Sequence, residues 1–186
     1  MKCDNSEFVR AFPSAIHNDA LRMVSVLPQA SSRAEPFHIC IEGKTVLIPY
    51  RIYHDPVMID RLKLTPFQEG LLDCLLTRHH SGFVREQSLR KILSSDHDWI
   101  PAFVVQLVGE YIVEILEVIR ENVHDLNPEP YRRFLINNPM FVELTRSRVE
   151  SYWNCYYRSH RREDYAGFEI VRFIDQLTNK SPSICP

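Results

Sequence analysis

Between Asp98 and Val123 the chain reads DWIPAFVVQLVGEYIVEILEVIRENV, and the way charge is distributed within this stretch restricts the fold more than any other feature. On a helix of about 3.6 residues per turn, positions three or four apart share a face. Gln106, Glu110, Glu114, Glu117 and Glu121 have that spacing and form one narrow polar stripe. Nearly everything else from Trp99 to Ile119 is apolar, so most of the circumference has to be buried. A surface helix is not built this way. The pattern predicts a central buried helix over about residues 99–123. Asp98 is placed to cap it, and Pro101 falls in the first turn, where a missing N–H does little harm. Gly109 costs stability unless a neighbour packs closely there. Charges interrupt the apolar run too soon for a membrane span.

The other signals are short and local. Ser14 to Leu27 puts Ile16, Ala20, Met23, Val24 and Leu27 on one face behind a candidate Ser14 cap, a short amphipathic helix ending at Pro28. A loop, QASSRAEP, follows. From Phe37 to Tyr53 the period becomes two: Phe37, Ile39 and Ile41, then Val46, Ile48, Tyr50 and Ile52, which predicts a β-hairpin turning at Glu42-Gly43-Lys44. Pro49 cannot donate to a ladder, so its strand is an edge or carries a bulge. Two strands alone are marginally stable, and the hairpin has to lean on helices or pair with another chain.

From residue 64 the pattern is helical. Thr65-Pro66-Phe67-Gln68 is a capping box with proline at the first helical position, opening a helix over about 66–78. After Gly82, Val84, Leu89, Ile92 and Leu93 carry a second helix to about Leu93. Ser81 to Leu89 resembles the second helix of a HEAT repeat, but the pattern does not recur some forty residues on, as a repeat requires. NPEP at 127–130 is a break, Tyr131 to Ile136 a short helix, and Asn138-Pro139 a new cap. Phe141, Leu144, Val149, Tyr152 and Tyr156 make an amphipathic face to about His160. A last helix near Tyr165 to Leu177 buries Phe168, Val171 and Ile174, and SPSICP is a loose tail.

The fold expected is mainly α: a single compact helical domain of about six to seven helices around the central helix, with one β-hairpin (about 37–53) packed on it. Within that domain, residues 1–36 form the N-terminal helix and linker, 37–63 the hairpin and its connection, and 64–180 the helical core. A hydrophobic content of 45% supports a sizeable core. Cys3, Cys40, Cys74, Cys155 and Cys185 are odd in number and never spaced C-x-x-C, against both a disulfide framework and a zinc site. The opening MKCDNSEFVRAF has no apolar signal-peptide core, which gives a cytoplasmic, intracellular protein as the expectation.

Local motifs argue against the enzymes that advertise themselves in sequence. Five glycines supply neither G-x-G-x-x-G nor G-x-x-x-x-G-K-[ST], and H-E-x-x-H and G-x-S-x-G are absent. Three His-Asp dipeptides occur, His54-Asp55, His97-Asp98 and His124-Asp125, with His79 and His80 between the first two. Phosphohydrolases of the HD type hold metal with a histidine, a His-Asp pair and a distant aspartate. Here the middle pair lies in polar SSDHDW, where Asp98 reads as a helix cap. The glutamate stripe is a second metal candidate, since di-iron bundles use helix carboxylates with repeated Glu-x-x-His. Glu121-Asn-Val-His124 gives that spacing once.

The net charge of −2 sets up no global field for nucleic acid, so such binding needs a local patch. From Tyr131 to Arg162 seven arginines face two glutamates, and Tyr152, Trp153, Tyr156 and Tyr157 interleave with them. Arginine forks take phosphate and aromatic rings stack on bases. From Ser94 to Glu129, however, eight acids face Arg120 alone, so the two segments can neutralise each other. The chain therefore reads first as a non-catalytic interaction or structural protein that associates with itself or with a protein partner. Its contact residues are Arg146, Arg148, Tyr152, Trp153, Tyr156, Tyr157, Arg158, Arg161 and Arg162. A nucleic-acid-binding module on the helix 146–162 is the alternative. A metal-dependent hydrolase using His79, His80, His97 and Asp98, or the glutamates, stands third. No catalytic residue, metal ligand, cofactor or membrane partner is assigned.

Overall fold

The computed structural model describes residues 5–28, 35–159 and 161–179. The loop expected around 29–34, the helix end at His160, Cys3, and the tail with Cys185 lie outside them. The protein is mainly α-helical with one small antiparallel hairpin. It divides into two compact units, residues 1–95 and 96–186, a boundary that coincides with neither 36/37 nor 63/64.

The first unit opens with a 3₁₀ segment, Asn5–Ala11, and a second, Ser14–Ile16, that leads into α1 (His17–Ser25). Ser14 makes no side-chain cap there. Strands β1 (Pro36–Ile41) and β2 (Lys44–Pro49) pair across a two-residue turn in which Glu42 (φ 49°) and Gly43 (φ 74°) both sit in the left-handed region. That is the twist-matched hairpin turn, which glycine adopts freely and which costs a glutamate about 1 kcal/mol. The ladder stops short of the expected Tyr53 because Pro36 and Pro49 face each other in register and neither has an N–H to give. Ile39, Ile41, Val46 and Ile48 form the buried face, and β2 packs against Asn5–Ala11.

Helices α2 (Pro66–Leu76) and α3 (Gly82–Ile92) complete the unit. The capping box is present in both directions: Gln68 N donates to Thr65 Oγ1 (3.3 Å) and Thr65 N to Gln68 Oε1 (3.1 Å). Gln68 Nε2 also donates to Asp19 Oδ1 at 2.8 Å, tying α2 to α1. Cys74 is buried, and burial pushes its thiol well above the ordinary range, so it behaves as a small apolar residue.

In the second unit the apolar stretch is two helices, α4 (Ile100–Val108) and α5 (Val113–Asn122), and not one. A straight 25-residue helix would be about 37 Å long, while a compact body of some 90 residues is roughly 30 Å across. The chain turns at Gly109, the weakest helix former in the run after the first-turn Pro101, where the arm of Arg148 fills the space a side chain would need: an added Cβ would lie 3.1 Å from Arg148 Cδ. Every residue of α4 is buried, with α5, α6 (Pro128–Asn137) and α7 (Pro139–Tyr152) around it. Each enclosed valine, leucine or phenylalanine contributes about 1.5 to 3 kcal/mol. Asp98 does not cap α4; it pairs with Arg133 of α6, and Trp99 occupies the cap position. Asn138, expected to cap α7, instead donates from Nδ2 to the Phe134 carbonyl at 2.8 Å and closes the end of α6.

After α7 the backbone widens into a π-helical turn, Trp153–Tyr157, followed by a 3₁₀ turn and α8 (Ala166–Asn179), which packs on α5 and α6. Gly167 is where α8 meets α7: an added Cβ would lie 2.7 Å from Tyr165 Cε1 and 2.8 Å from Val149 Cγ1. Both rings and chains there are buried and cannot swing away. Gly167→Ala is therefore expected to lower stability by about 1 to 3 kcal/mol in urea unfolding, although alanine is the better helix former. A stabilised variant would show that α7 and α8 are not in this close contact.

Candidate functional site

The second unit concentrates aromatic side chains around the π turn. Tyr152 and Tyr156 are one α-helical turn apart, and both meet Tyr111, which the break between α4 and α5 carries to the surface. Ring centroids are 6.1 Å for Tyr111–Tyr152, 6.4 Å for Tyr111–Tyr156 and 6.2 Å for Tyr152–Tyr156, a triangle of tilted and edge-on rings. Tyr156 is 66% and Tyr111 53% exposed, so the triangle is a surface feature. Beneath it Tyr157 donates its hydroxyl to the Tyr111 carbonyl at 2.9 Å, bridging 46 residues of sequence, and stacks on buried Tyr165 at 5.1 Å. Burial pushes both phenols up, with neighbouring tyrosines adding to the shift at Tyr165, so neither ionises near neutrality.

The π turn itself has a local cause. Asn154 Nδ2 donates to the Glu150 carbonyl at 3.0 Å, the kind of side-chain competition that loosens an α ladder. Such turns recur at functional positions. On the inner side Trp153 meets Phe168 edge-on at 5.8 Å. Arg162 lies over Phe168 at 4.2 Å and over Trp153 at 5.8 Å, while its guanidinium also pairs with Glu150.

The residues expected as a contact face thus separate into two groups. Tyr152, Tyr156 and Tyr157 come together, joined by Tyr111. Among the arginines, Arg146 is held by Asp175 (Nη2–Oδ1 2.5 Å) and Glu143 (3.4 Å), Arg161 by Asp164 (3.0 Å), and Arg162 by Glu150. Arg148 is half-buried with its aliphatic arm against Gly109, and Arg158 is exposed. Most of the positive charge is therefore met by acids of its own segment or of α8. Tyr111 was hidden in the sequence by the apolar run around it; the pair Gly109-Glu110 before it was the available sign that the chain turns.

The glutamate stripe does not survive as one line, because the break rotates its two halves. Gln106 and Glu110 are buried and Glu114 and Glu121 exposed. Glu117 pairs with Arg120 of its own helix at 2.5 Å, and Arg120 reaches Glu169 of α8 at 3.9 Å. Among the described residues no three His, Cys, Asp or Glu side chains are grouped so as to hold a metal ion. His97 stacks on Trp99 at 4.3 Å, and His124 stands edge-on to Phe173.

His79 and the backbone of the exposed His80 belong to a basic seam in the first unit, buried at Arg78, His79 and Arg85, that the sequence did not reveal. Arg78 and Arg85 are 0% and 1% exposed, the largest fully buried side chains among the described residues. Arg78 donates to the carbonyls of Tyr50 (2.9 Å), Thr77 (3.3 Å) and Pro49 (3.4 Å), and Arg85 Nη1 to those of His79 (2.7 Å) and His80 (2.9 Å). Ile52 bridges His79 in parallel, with Ile52 N on the Arg78 carbonyl and His80 N on the Ile52 carbonyl, each at 2.9 Å. The seam fastens the chain leaving β2 to the end of α2.

His79 spends both ring nitrogens here. Ser81 N donates to Nδ1 at 3.1 Å, so in the neutral ring Nε2 carries the hydrogen and donates to the His54 carbonyl at 2.7 Å. Burial, helped by His80 and Arg85 and opposed by the His54 carbonyl and Asp55, lowers its pKa from the ordinary 6.5. The unfolded chain then binds the extra proton more readily. Stability is expected to fall as pH drops through about 6.5 and to level off below the lowered folded-state pKa. Urea midpoints at pH 7.5 and 5.0 check this against His79→Gln, in which the His79 share of the drop should vanish; an equal drop in the variant would assign it elsewhere.

No protein-family model, curated protein or solved structure matches the chain. Among the described residues no helix is long and apolar enough to cross a membrane.

Proposed function

We propose that the chain is a non-catalytic protein-binding module whose contact face is the tyrosine triangle Tyr111, Tyr152 and Tyr156, bound either by a second copy or by a partner protein. The observation that carries this reading is the exposure of a preorganised aromatic cluster. Tyrosine brings large amphipathic contact area with only two side-chain torsions to freeze, and it is enriched among the residues that dominate interface energies. The hydroxyl of Tyr157 fixes the backbone of Tyr111, so the rings need little rearrangement on binding.

The charge pattern favours protein over nucleic acid as the ligand. Arg146, Arg161 and Arg162 already have carboxylate partners, and a phosphate would have to displace them. Labelled single- and double-stranded nucleic acid should accordingly give flat anisotropy at low salt. Steep salt-dependent binding, weakened by charge reversal at Arg148 and Arg158, would favour the nucleic-acid reading instead.

The direct test combines light scattering on a sizing column with affinity capture from the source cell, using the full chain and Tyr111→Ser/Tyr156→Ser. Self-association, or a partner that the wild type retains and the double variant loses, supports the proposal. A strict monomer with no such partner rejects it.

A further inference from the structure

The first unit carries a cationic groove that plays no part in this reading. It lies between the N-terminal 3₁₀ segments and the hairpin and measures about 370 Å³. Arg10, Ser14, His17, His38, Lys44 and Thr45 stand around it, over an apolar surface that includes Leu47, and its lining contains no carboxylate. A volume in this range is that of a small-ligand site.

The donors are largely uncommitted. Arg10 and His38 are exposed, and their side chains make no hydrogen bond or ion pair among the described residues. Lys44 has only a long contact from Nζ to Ser14 Oγ, at 3.4 Å. His17 is held by Nε2 on the Phe12 carbonyl at 3.0 Å, which fixes its ring at the groove wall. Two full cations, two imidazoles and two hydroxyls line the groove with no acid among them. Arg10 and Leu47 also line a second depression of about 190 Å³, whose wall carries Glu7 and Glu35 beside Arg51.

We propose that the groove between Asn5–Ile16 and the hairpin binds the phosphate group of a small organic phosphate, with Arg10 and Lys44 as its principal charge partners. A dianion with three or four acceptor oxygens suits this set better than a carboxylate does, because both cations and the hydroxyls can be engaged at once. The organic part lies along Leu47.

Phenyl phosphate is the probe, titrated into the full chain at constant ionic strength and followed by amide chemical shifts. Saturable shifts confined to residues 10–17 and 38–47, with a dissociation constant of about 1 mM or tighter, are expected. Arg10→Gln/Lys44→Gln should weaken binding at least about tenfold, while Arg172→Gln, an exposed site in the other unit, should leave it unchanged. Both altered side chains are exposed, so the fold is kept. Absence of saturation, shifts spread over both units, or equal binding by the double variant would each overturn the assignment.

Discussion

Replacing Arg85 by leucine is expected to remove about 3 to 5 kcal/mol of stability, the largest effect of any single substitution considered. The side chain is 1% exposed and its Nη1 serves the carbonyls of His79 and His80 at 2.7 and 2.9 Å. Leucine fills part of the volume and supplies no donor, so the buried His79 carbonyl and the part-buried His80 carbonyl both lose a charge-assisted bond. Bonds of that kind are each worth about 1.5 to 3 kcal/mol. Whole domains are stable by only about 5 to 15 kcal/mol, so the variant should be largely unfolded in modest urea. Arg85→Lys should recover part of the loss, because one ammonium can reach one of the two carbonyls.

Arg78 offers a companion measurement. It holds Pro49, Tyr50 and Thr77, a different set of acceptors on the same seam. The loss in Arg78→Leu/Arg85→Leu should fall short of the two single losses added together, since either change already releases the chain after β2 from α2. Urea unfolding followed by far-ultraviolet circular dichroism reads all three. A change below about 0.5 kcal/mol for Arg85→Leu, the size of an ordinary surface substitution, would mean the guanidinium is not buried in this seam.

The second large effect is on binding and not on stability. Tyr111→Ser/Tyr156→Ser removes the two most exposed rings of the triangle while leaving the backbone bond from Tyr157 to the Tyr111 carbonyl in place. Interface aromatics of this sort commonly cost 2 kcal/mol or more on truncation, so affinity for the captured partner, or for a second copy, should fall at least about thirtyfold. The urea midpoint should stay within about 0.5 kcal/mol of wild type, as both side chains face solvent. Trp153→Ala gives the opposite pattern, because its ring lies against Phe168 and Arg162 and supports the face from within. Unchanged affinity in the double variant would move the contact face away from the π turn.

What could be read from sequence had local causes. The capping box at Thr65 and the hairpin turn at Glu42-Gly43 each depend on backbone chemistry within four residues, and each is present, whereas NPEP, expected as a break over 127–130, is the cap and first turn of α6. The buried character of Ile100–Val108 is likewise a property of composition: a run with no polar face has to go inside. The candidate face was half legible for the same reason. Tyr152, Tyr156 and Tyr157 are neighbours along one helix, whereas Tyr111 joins them from 41 residues before Tyr152.

The amino-acid sequence by itself determined the helical class, the hairpin and which stretch is most buried, since periodicity and caps act over one or two turns. Tertiary structure alone decided that Arg146 turns to Asp175 on α8 and that two arginines are enclosed by carbonyls. The physical reason is common to both. An arginine in sequence announces only a charge and a long arm; whether that arm ends in water, on an acid or among carbonyls depends on what the fold brings beside it.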